Sequence, residues 1–201
     1  PEATLAAIAK HGITHAVMVP TMFVRLLKLP PVVRARYDVS SLQWVTHTGA
    51  PCPAEVKKAL MEWWGPLVYE TYGGSEVGTA TLATPEDWLA HPGSVGVPTP
   101  GTQLAFYGED GRRLPDGEVG EIYMRVPAYA DFTYLNNPEQ RRAVERDGLI
   151  SCGDVGYLKD GRLYLCDRRS DMVISAGVNI YPAEIEMVLL QCPGVQDCAV
   201  F

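Results

Sequence analysis

The spacing of apolar positions changes period along the chain, and the first third follows the helical one. Leu5, Ile8 and Ala9 share a helical face, which predicts a helix over residues 2–10 that Gly12 stops. Residues 15–19 form a short apolar run of the kind that makes a buried strand. Pro20-Thr21 opens a helix running to Leu29, and Pro30-Pro31 closes it. A strand over residues 42–46 leads into Gly49-Ala50-Pro51, Pro53 opens a helix through Trp64, and Leu67-Val68-Tyr69 is a third strand. Strands alternating with helices through short links predict a mostly parallel sheet, and ligands of such sheets bind beyond the carboxyl ends of the strands. Those ends carry Val19-Pro20-Thr21, His47-Thr48-Gly49-Ala50-Pro51 and Glu70-Thr71-Tyr72-Gly73-Gly74-Ser75-Glu76, and the three loops are expected to converge on one site.

Near His91 the pattern changes. Residues 91–101 are punctuated by glycine and proline, and strand-like runs follow at residues 102–107 and 118–126. Lys159-Asp160-Gly161 lies between two more such runs, a hairpin signal because glycine takes the positive φ of the turn. This puts Asp154 and Arg168 at opposite ends of one ribbon, a carboxylate acceptor and a guanidinium fork within reach of one ligand. Residues 171–175 read as another strand, Gly177 turns it, and Pro182 opens a helix through Leu190 that is apolar on one face. The expected class is α/β: a mostly parallel sheet with helices, then a small antiparallel β unit, then the start of a separate α+β C-terminal domain. The expected boundaries are 1–92 for the α/β part of a large domain, 93–169 for its β-rich subdomain and 170–201 for the start of the C-terminal domain.

Composition narrows the function classes. The 201 residues are 47% hydrophobic and 20% charged, material for a packed core rather than a disordered chain. A formal net charge of −7 without any basic run argues against a nucleic-acid partner. The pairs Arg112-Arg113, Arg141-Arg142 and Arg168-Arg169 read as solvated surface, apart from Arg168. Five cysteines without C-x-x-C spacing indicate neither a disulfide framework nor a zinc site, and they point to a reducing compartment. Cys166, Trp63, Trp64 and Trp88 read as packing, and the four histidines have no metal-binding spacing. No apolar run reaches membrane-spanning length, so the expectation is a cytoplasmic protein with no integral membrane contact. The chain opens inside a helical pattern without Met, as a piece of a longer protein does.

The stretch Tyr72-Gly73-Gly74-Ser75-Glu76 carries candidate chemistry. Its glycines permit close backbone approach to a phosphate, the hydroxyl can donate to phosphate oxygens, and Glu76 can ligate magnesium riding on them. Tyr72 can stack on a base. Alone, such a pentapeptide is more often a turn. A nucleophile elbow needs glycine where this chain has Val77, and no G-x-G-x-x-G is present.

Several segments taken in order carry more weight than any one. Val19-Pro20-Thr21, Gly49-Ala50-Pro51, residues 72–76, Gly93-Ser94-Val95-Gly96 with Pro98 and Gly101, and the block over residues 151–186 resemble the core motifs of the adenylate-forming superfamily. That superfamily comprises acyl-CoA synthetases, luciferases and peptide-synthetase adenylation domains. The later block contributes Gly153-Asp154, Asp167-Arg168, Asp171, Gly177 and Pro182-Ala183-Glu184-Ile185-Glu186. The resemblance covers nearly the whole chain.

The resemblance implies an AMP-forming acid–CoA ligase that uses ATP, Mg2+ and coenzyme A on a small-molecule carboxylic acid, fatty or otherwise bulky. It implies that Gly49-Ala50-Pro51 and Tyr72 sandwich adenine, with Glu70 near its amino group, flanked by Thr71 and Gly73 on the same motif. Ser75 would touch phosphate, Glu76 would hold magnesium, Asp154 would accept from the ribose hydroxyls, and Arg168 would reach ribose and phosphate. Ser170 falls at the hinge of the C-terminal lid domain, and Gly177 where pantetheine passes. Gly74 falls where the acyl pocket begins and, lacking a side chain, hints at a bulky acid. Ser170 departs from the usual Asp or Lys, Ala176 from a common Gly, and Val178 and Asn179 from charged residues, which bears on the thioester step more than on adenylation. The family's phosphate loop would precede Pro1 and its C-terminal catalytic lysine would follow Phe201, so this piece alone is expected to be inactive. An adenylation domain loading a carrier protein and a non-catalytic nucleotide-binding remnant are the alternatives. The acid is not named by the sequence, and a homodimer is left open.

Overall fold

The computed structural model describes residues 1–175, 178–190, 192–195 and 198–201. Two units divide the chain: Pro1–Tyr72 with Leu82–Gly96, and Gly73–Thr81 with Val97–Phe201. Gly177 lies outside the described residues.

The first unit runs α1 (Glu2–His11), β1 (His15–Met18), α2 (Pro20–Leu27), α3 (Pro31–Arg34), β2 (Trp44–His47), α4 (Ala54–Trp64) and the start of β3 (Val68–Gly74). The end of β4 (Gly78–Ala83) and α5 (Pro85–Ala90) complete it. Gly12 closes α1 in the left-handed conformation at φ 59°, its N–H donating to the Ile8 carbonyl, as the sequence predicts. Strands β1, β2 and β3 pair in parallel, and the register sets Met18 beside His47 and His47 beside Glu70 at their carboxyl ends. Leu5, Ile8, Phe23, Leu26, Val45, Leu60 and Val68 form the core beneath them.

Two elements differ from expectation for local reasons. Pro30-Pro31 stops α2 as predicted, but Pro31 also opens α3, since the fixed φ of proline suits a first helical position. Strand β3 does not stop at Tyr69. It continues to Gly74 with Val68, Glu70 and Tyr72 buried on alternate positions, and the polar Glu70 masks that period in the sequence. Helix α5 is an addition to the expected elements, and Thr84-Pro85-Glu86-Asp87 carries its cap: the Thr84 hydroxyl accepts from the Asp87 N–H at 3.1 Å.

The second unit holds the end of β3, most of β4, and β5 (Val97–Pro98), β6 (Gln103–Tyr107), β7 (Arg113–Leu114), β8 (Gly120–Arg125), α6 (Pro138–Ala143) and β9 (Glu145–Arg146). It ends with β10 (Leu149–Lys159), β11 (Arg162–Arg168), β12 (Val173–Ser175), β13 (Val178–Ile180) and α7 (Pro182–Leu189). An antiparallel sheet in the order β11-β10-β8-β6-β7, with β9 on β10, is its centre. The class is therefore α/β, with a mostly parallel sheet and an antiparallel one.

The β10–β11 hairpin turns at Asp160 (φ 50°) and Gly161 (φ 74°), both positive as a two-residue primed turn requires. Asp154 and Arg168 are direct cross-strand partners rather than opposite ends of the ribbon, because the strands run further than the apolar run suggests. Asp167 ties β11 to α7, its Oδ2 accepting the Ala183 N–H at 2.9 Å in the first turn of a helix that has no side-chain cap of its own. Arg141 is not solvated surface: it is largely buried, over the Phe132 ring, and pairs with Asp131 and Glu145. Among the described residues no helix is long and apolar enough to cross a membrane.

Candidate functional site

In the first unit the parallel register gathers candidates at the strand ends. Glu70 sits next to His47 on the neighbouring strand, and His47 Nε2 lies 3.3 Å from Glu70 Oε2. Neither ring nitrogen of His47 makes a well-formed hydrogen bond, and its ring meets Phe23 edge-on at 5.7 Å between centres. The stronger partner of Glu70 comes from α4: Lys57 Nζ donates to Oε2 at 2.8 Å and lies 4.6 Å above the Trp88 ring centre. Burial is the largest influence on Glu70 and pushes its carboxyl up, but His47 and Lys57 together outweigh it and hold the group below its ordinary range. Burial pulls the Lys57 ammonium down, with Glu70 opposing. The Cys52 thiol, buried beside the same carboxylate, is pushed up to about 12.

Gly49-Ala50-Pro51 follow β2 as an exposed turn, with Gly49 at φ 83°. Tyr72 is buried two residues beyond Glu70 on the same face of β3, and Thr71 alternates between them, half-buried. The sequence candidates Gly49, Ala50, Pro51, Glu70, Thr71 and Tyr72 thus fall in this unit.

The second unit brings together residues far apart in sequence. A side chain at Gly73 would strike the Gly78 carbonyl, so the hairpin itself requires glycine there. A Cβ on Gly74 would come within 2.6 Å of Cys152 Sγ, so the space Gly74 leaves is taken by that thiol. Burial pushes the Cys152 thiol up to about 12, and the Glu76 and Asp154 carboxylates add to this while Arg168 opposes it. Glu76, Asp154 and Arg168 therefore cluster around one sulfur.

Glu76 is half-buried, and its Oε1 accepts from the Tyr134 hydroxyl at 3.1 Å. Its Oε2 makes no hydrogen bond among the described residues, which leaves one oriented oxygen for a hard cation. Arg168 Nε is 3.6 Å from Asp154 Oδ1, an ion pair of loose geometry, and the Arg168 side chain is 70% exposed. An arginine so placed retains donors for a ligand. Ser75 is exposed at the turn after β3. Ser170 sits in a turn closed by the Asp171 and Met172 N–H groups on the Arg168 carbonyl, and its hydroxyl donates to Asp171. Next to it, Arg169 pairs with Glu121 on β8 at 2.5 Å, and Ser151 donates to the same carboxylate at 2.6 Å.

Lys57, Tyr134 and Cys152 are the residues that sequence reasoning passed over. Lys57 carried a signal: it occupies the α4 face shared by Leu60, Met61 and Trp64, where a charge is out of place. Cys152 lies inside the Ser151–Asp154 motif but was read only as part of a cysteine count. Nothing local marks Tyr134.

Comparison with known proteins bears on the family of the chain. A family model described as AMP-binding enzyme matches residues 1–131. The chain is 37% identical over its whole length to a long-chain-fatty-acid–CoA ligase of Bacillus subtilis (strain 168), and covers 36% of that protein. Amide bond synthetase McbA from Marinactinospora thermotolerans superposes with a TM-score of 0.89 at 32% identity, over 98% of this chain and 40% of that one. O-succinylbenzoate coenzyme A synthetase (MenE) from Bacillus subtilis, in complex with ATP and magnesium ion, gives 0.83 at 32% identity, over 97% and 40%. This chain thus spans well under half the length of the relatives it matches. Sequence and structure agree that the chain belongs to the AMP-binding enzyme family.

Proposed function

We propose that the whole protein is an ATP-dependent carboxylic acid–CoA ligase acting through an acyl-adenylate. A carboxylate oxygen attacks the α-phosphorus of ATP as the bond to pyrophosphate breaks, and a thiol then displaces AMP from the acyl carbon. The observation that carries this reading is the clustering of Glu76, Asp154 and Arg168 around the Cys152 thiol. Metal, ribose and phosphate chemistry need those residue types together, and Glu76 joins the Asp154–Arg168 hairpin pair from a distant part of the chain.

In this reading Gly49, Ala50, Pro51, Glu70, Thr71, Tyr72 and Gly73 bind the base. Asp154 accepts the ribose hydroxyls, as the two oxygens of a carboxylate allow, and Arg168 donates to ribose and phosphate. Ser75 donates to phosphate. The oriented Glu76 oxygen is the magnesium ligand, and the ion supplies charge neutralisation on the phosphates. The protein contributes position and preorganised charge rather than a covalent step.

The segment from Ser170 begins a lid domain, with Ser170 as hinge and Gly177 on the pantetheine path. Gly74 and Cys152 together form the start of the acyl pocket wall. No disulfide joins the five cysteines among the described residues, which supports the cytoplasm as compartment. The likeness to an amide bond synthetase favours one second reading, in which an amine rather than CoA takes the acyl group.

The experiment is pyrophosphate release by the full-length protein with ATP, magnesium and a panel of carboxylic acids, with CoA, an amine or no acceptor. Acid-dependent release with a thioester product is expected. An amide product would favour the second reading, and ATP binding without release for any acid would leave only a nucleotide-binding remnant.

A further inference from the structure

Lys57 is wholly buried, 0% exposed, on a helix face otherwise lined by apolar side chains. A lysine placed so costs stability unless its charge is matched. Its match is one oxygen of Glu70, at 2.8 Å, with the Trp88 ring centre 4.6 Å from the ammonium. The second oxygen of Glu70 makes no hydrogen bond among the described residues.

We propose that Lys57 is a positioning residue for nucleotide selection: it holds Oε2 of Glu70 so that Oε1 accepts the exocyclic amino group of adenine. This rests on the reading above, in which Glu70 faces the base. The chemistry favours a role beyond packing. A carboxylate only accepts hydrogen bonds, so it welcomes the amino group of adenine and repels the oxygen that replaces it in hypoxanthine or guanine. A carboxylic acid can both donate and accept, and loses that discrimination. Burial alone drives Glu70 towards the acid, and Lys57 and His47 hold it ionised.

The groups facing Glu70 come from several elements. Lys57 reaches it from α4, His47 from β2, and Cys52, which stays a neutral thiol, from the loop before α4, while Trp88 of α5 backs the ammonium. Lys57 is the hydrogen-bonded cation among them. His47 is close, but without good hydrogen-bond geometry.

The test compares adenosine and inosine triphosphates as substrates of the full-length protein, wild type and Lys57→Met, from pH 8 to 5.5. The ratio of their KM values cancels protonation of the phosphates, which both share. Wild type is expected to favour adenosine triphosphate by about 100-fold or more, a ratio typical of a site built around one polar contact, and to hold that ratio flat with pH. Lys57→Met is expected to lose at least about tenfold of it at pH 7 and more as pH falls, with the change on KM more than on kcat. A purely structural lysine would lower Tm and leave the ratio at its wild-type value at every pH, which overturns the proposal.

Should Lys57→Met not fold, the wild-type profile decides: a ratio that collapses between pH 8 and 5.5 means Glu70 is not held ionised, and the proposal fails. An active Glu70→Gln variant with an unchanged ratio removes Glu70 from base recognition and overturns it as well. Wild-type protein that releases no pyrophosphate with any acid overturns the ligase reading instead, and this inference with it.

Discussion

The ionic cluster of the first unit is closed, and that of the second is open. Lys57, His47 and Glu70 sit in a buried pocket where the charges answer one another. Around Cys152, by contrast, Glu76 is held by the neutral Tyr134 hydroxyl rather than by a cation, and Arg168 stands largely in solvent, loosely paired to Asp154. A closed cluster is balanced by the fold, so breaking it is felt in stability as well as in the base contact proposed for Glu70. An open cluster is balanced by a ligand, so its loss is felt in turnover.

The largest effect is expected where the closed cluster is broken. Glu70→Leu strands the Lys57 ammonium in the interior and is expected to cost about 3–5 kcal/mol, read as a shift in the denaturation midpoint of the full-length protein. A change under about 1 kcal/mol would show that the cluster is not closed. Glu76→Gln should do the converse. Pyrophosphate release is expected to fall by about 100-fold or more, as on loss of one preorganised charge, with the denaturation midpoint unmoved.

Asp154→Asn is expected next, with KM for ATP rising about 10- to 100-fold, the worth of a hydrogen bond to a charged group. An unchanged KM would separate Asp154 from the ribose. Acid should then test the closed cluster by sign. Glu70 is held below its ordinary value of 4.5, so its stabilisation is complete above that pH and is lost as pH falls below it. In Lys57→Met the sign is expected to reverse, the raised carboxyl destabilising the protein as pH climbs through 4.5, and denaturation midpoints across pH 3–7 read both. The smallest effect belongs to Arg169→Met beside the proposed hinge. Its pair with Glu121, half-exposed on the arginine side, is worth about 1 kcal/mol in stability, so any larger change in thioester formation would report lid movement rather than folding.

Most of the framework could be read from local signals. Gly12, Pro20, Asp160-Gly161 and Pro182 each impose a backbone conformation on their own, and each sits where the sequence placed it. Strand β3 was cut short because Glu70 hides an inward position behind a polar side chain, and only the partner Lys57, 13 residues earlier, explains why it is buried. The same gap hid Tyr134, which reaches Glu76 from 58 residues away. Gly74 was read as room for an acid, while the structure fills that room with Cys152, a contact that no spacing rule predicts. What the sequence reveals is what neighbours along the chain enforce; pairs made by tertiary packing stay hidden.

The central claim is that the carboxylic acid is activated by transfer to AMP. Full-length protein turned over with an 18O-labelled carboxylate, ATP, magnesium and CoA tests it most directly, by mass spectrometry of the nucleotide product. One 18O atom in each AMP is the predicted result, since the carboxylate oxygen that attacks phosphorus leaves with it. Unlabelled AMP, or label in phosphate with ADP as the nucleotide product, would contradict the account.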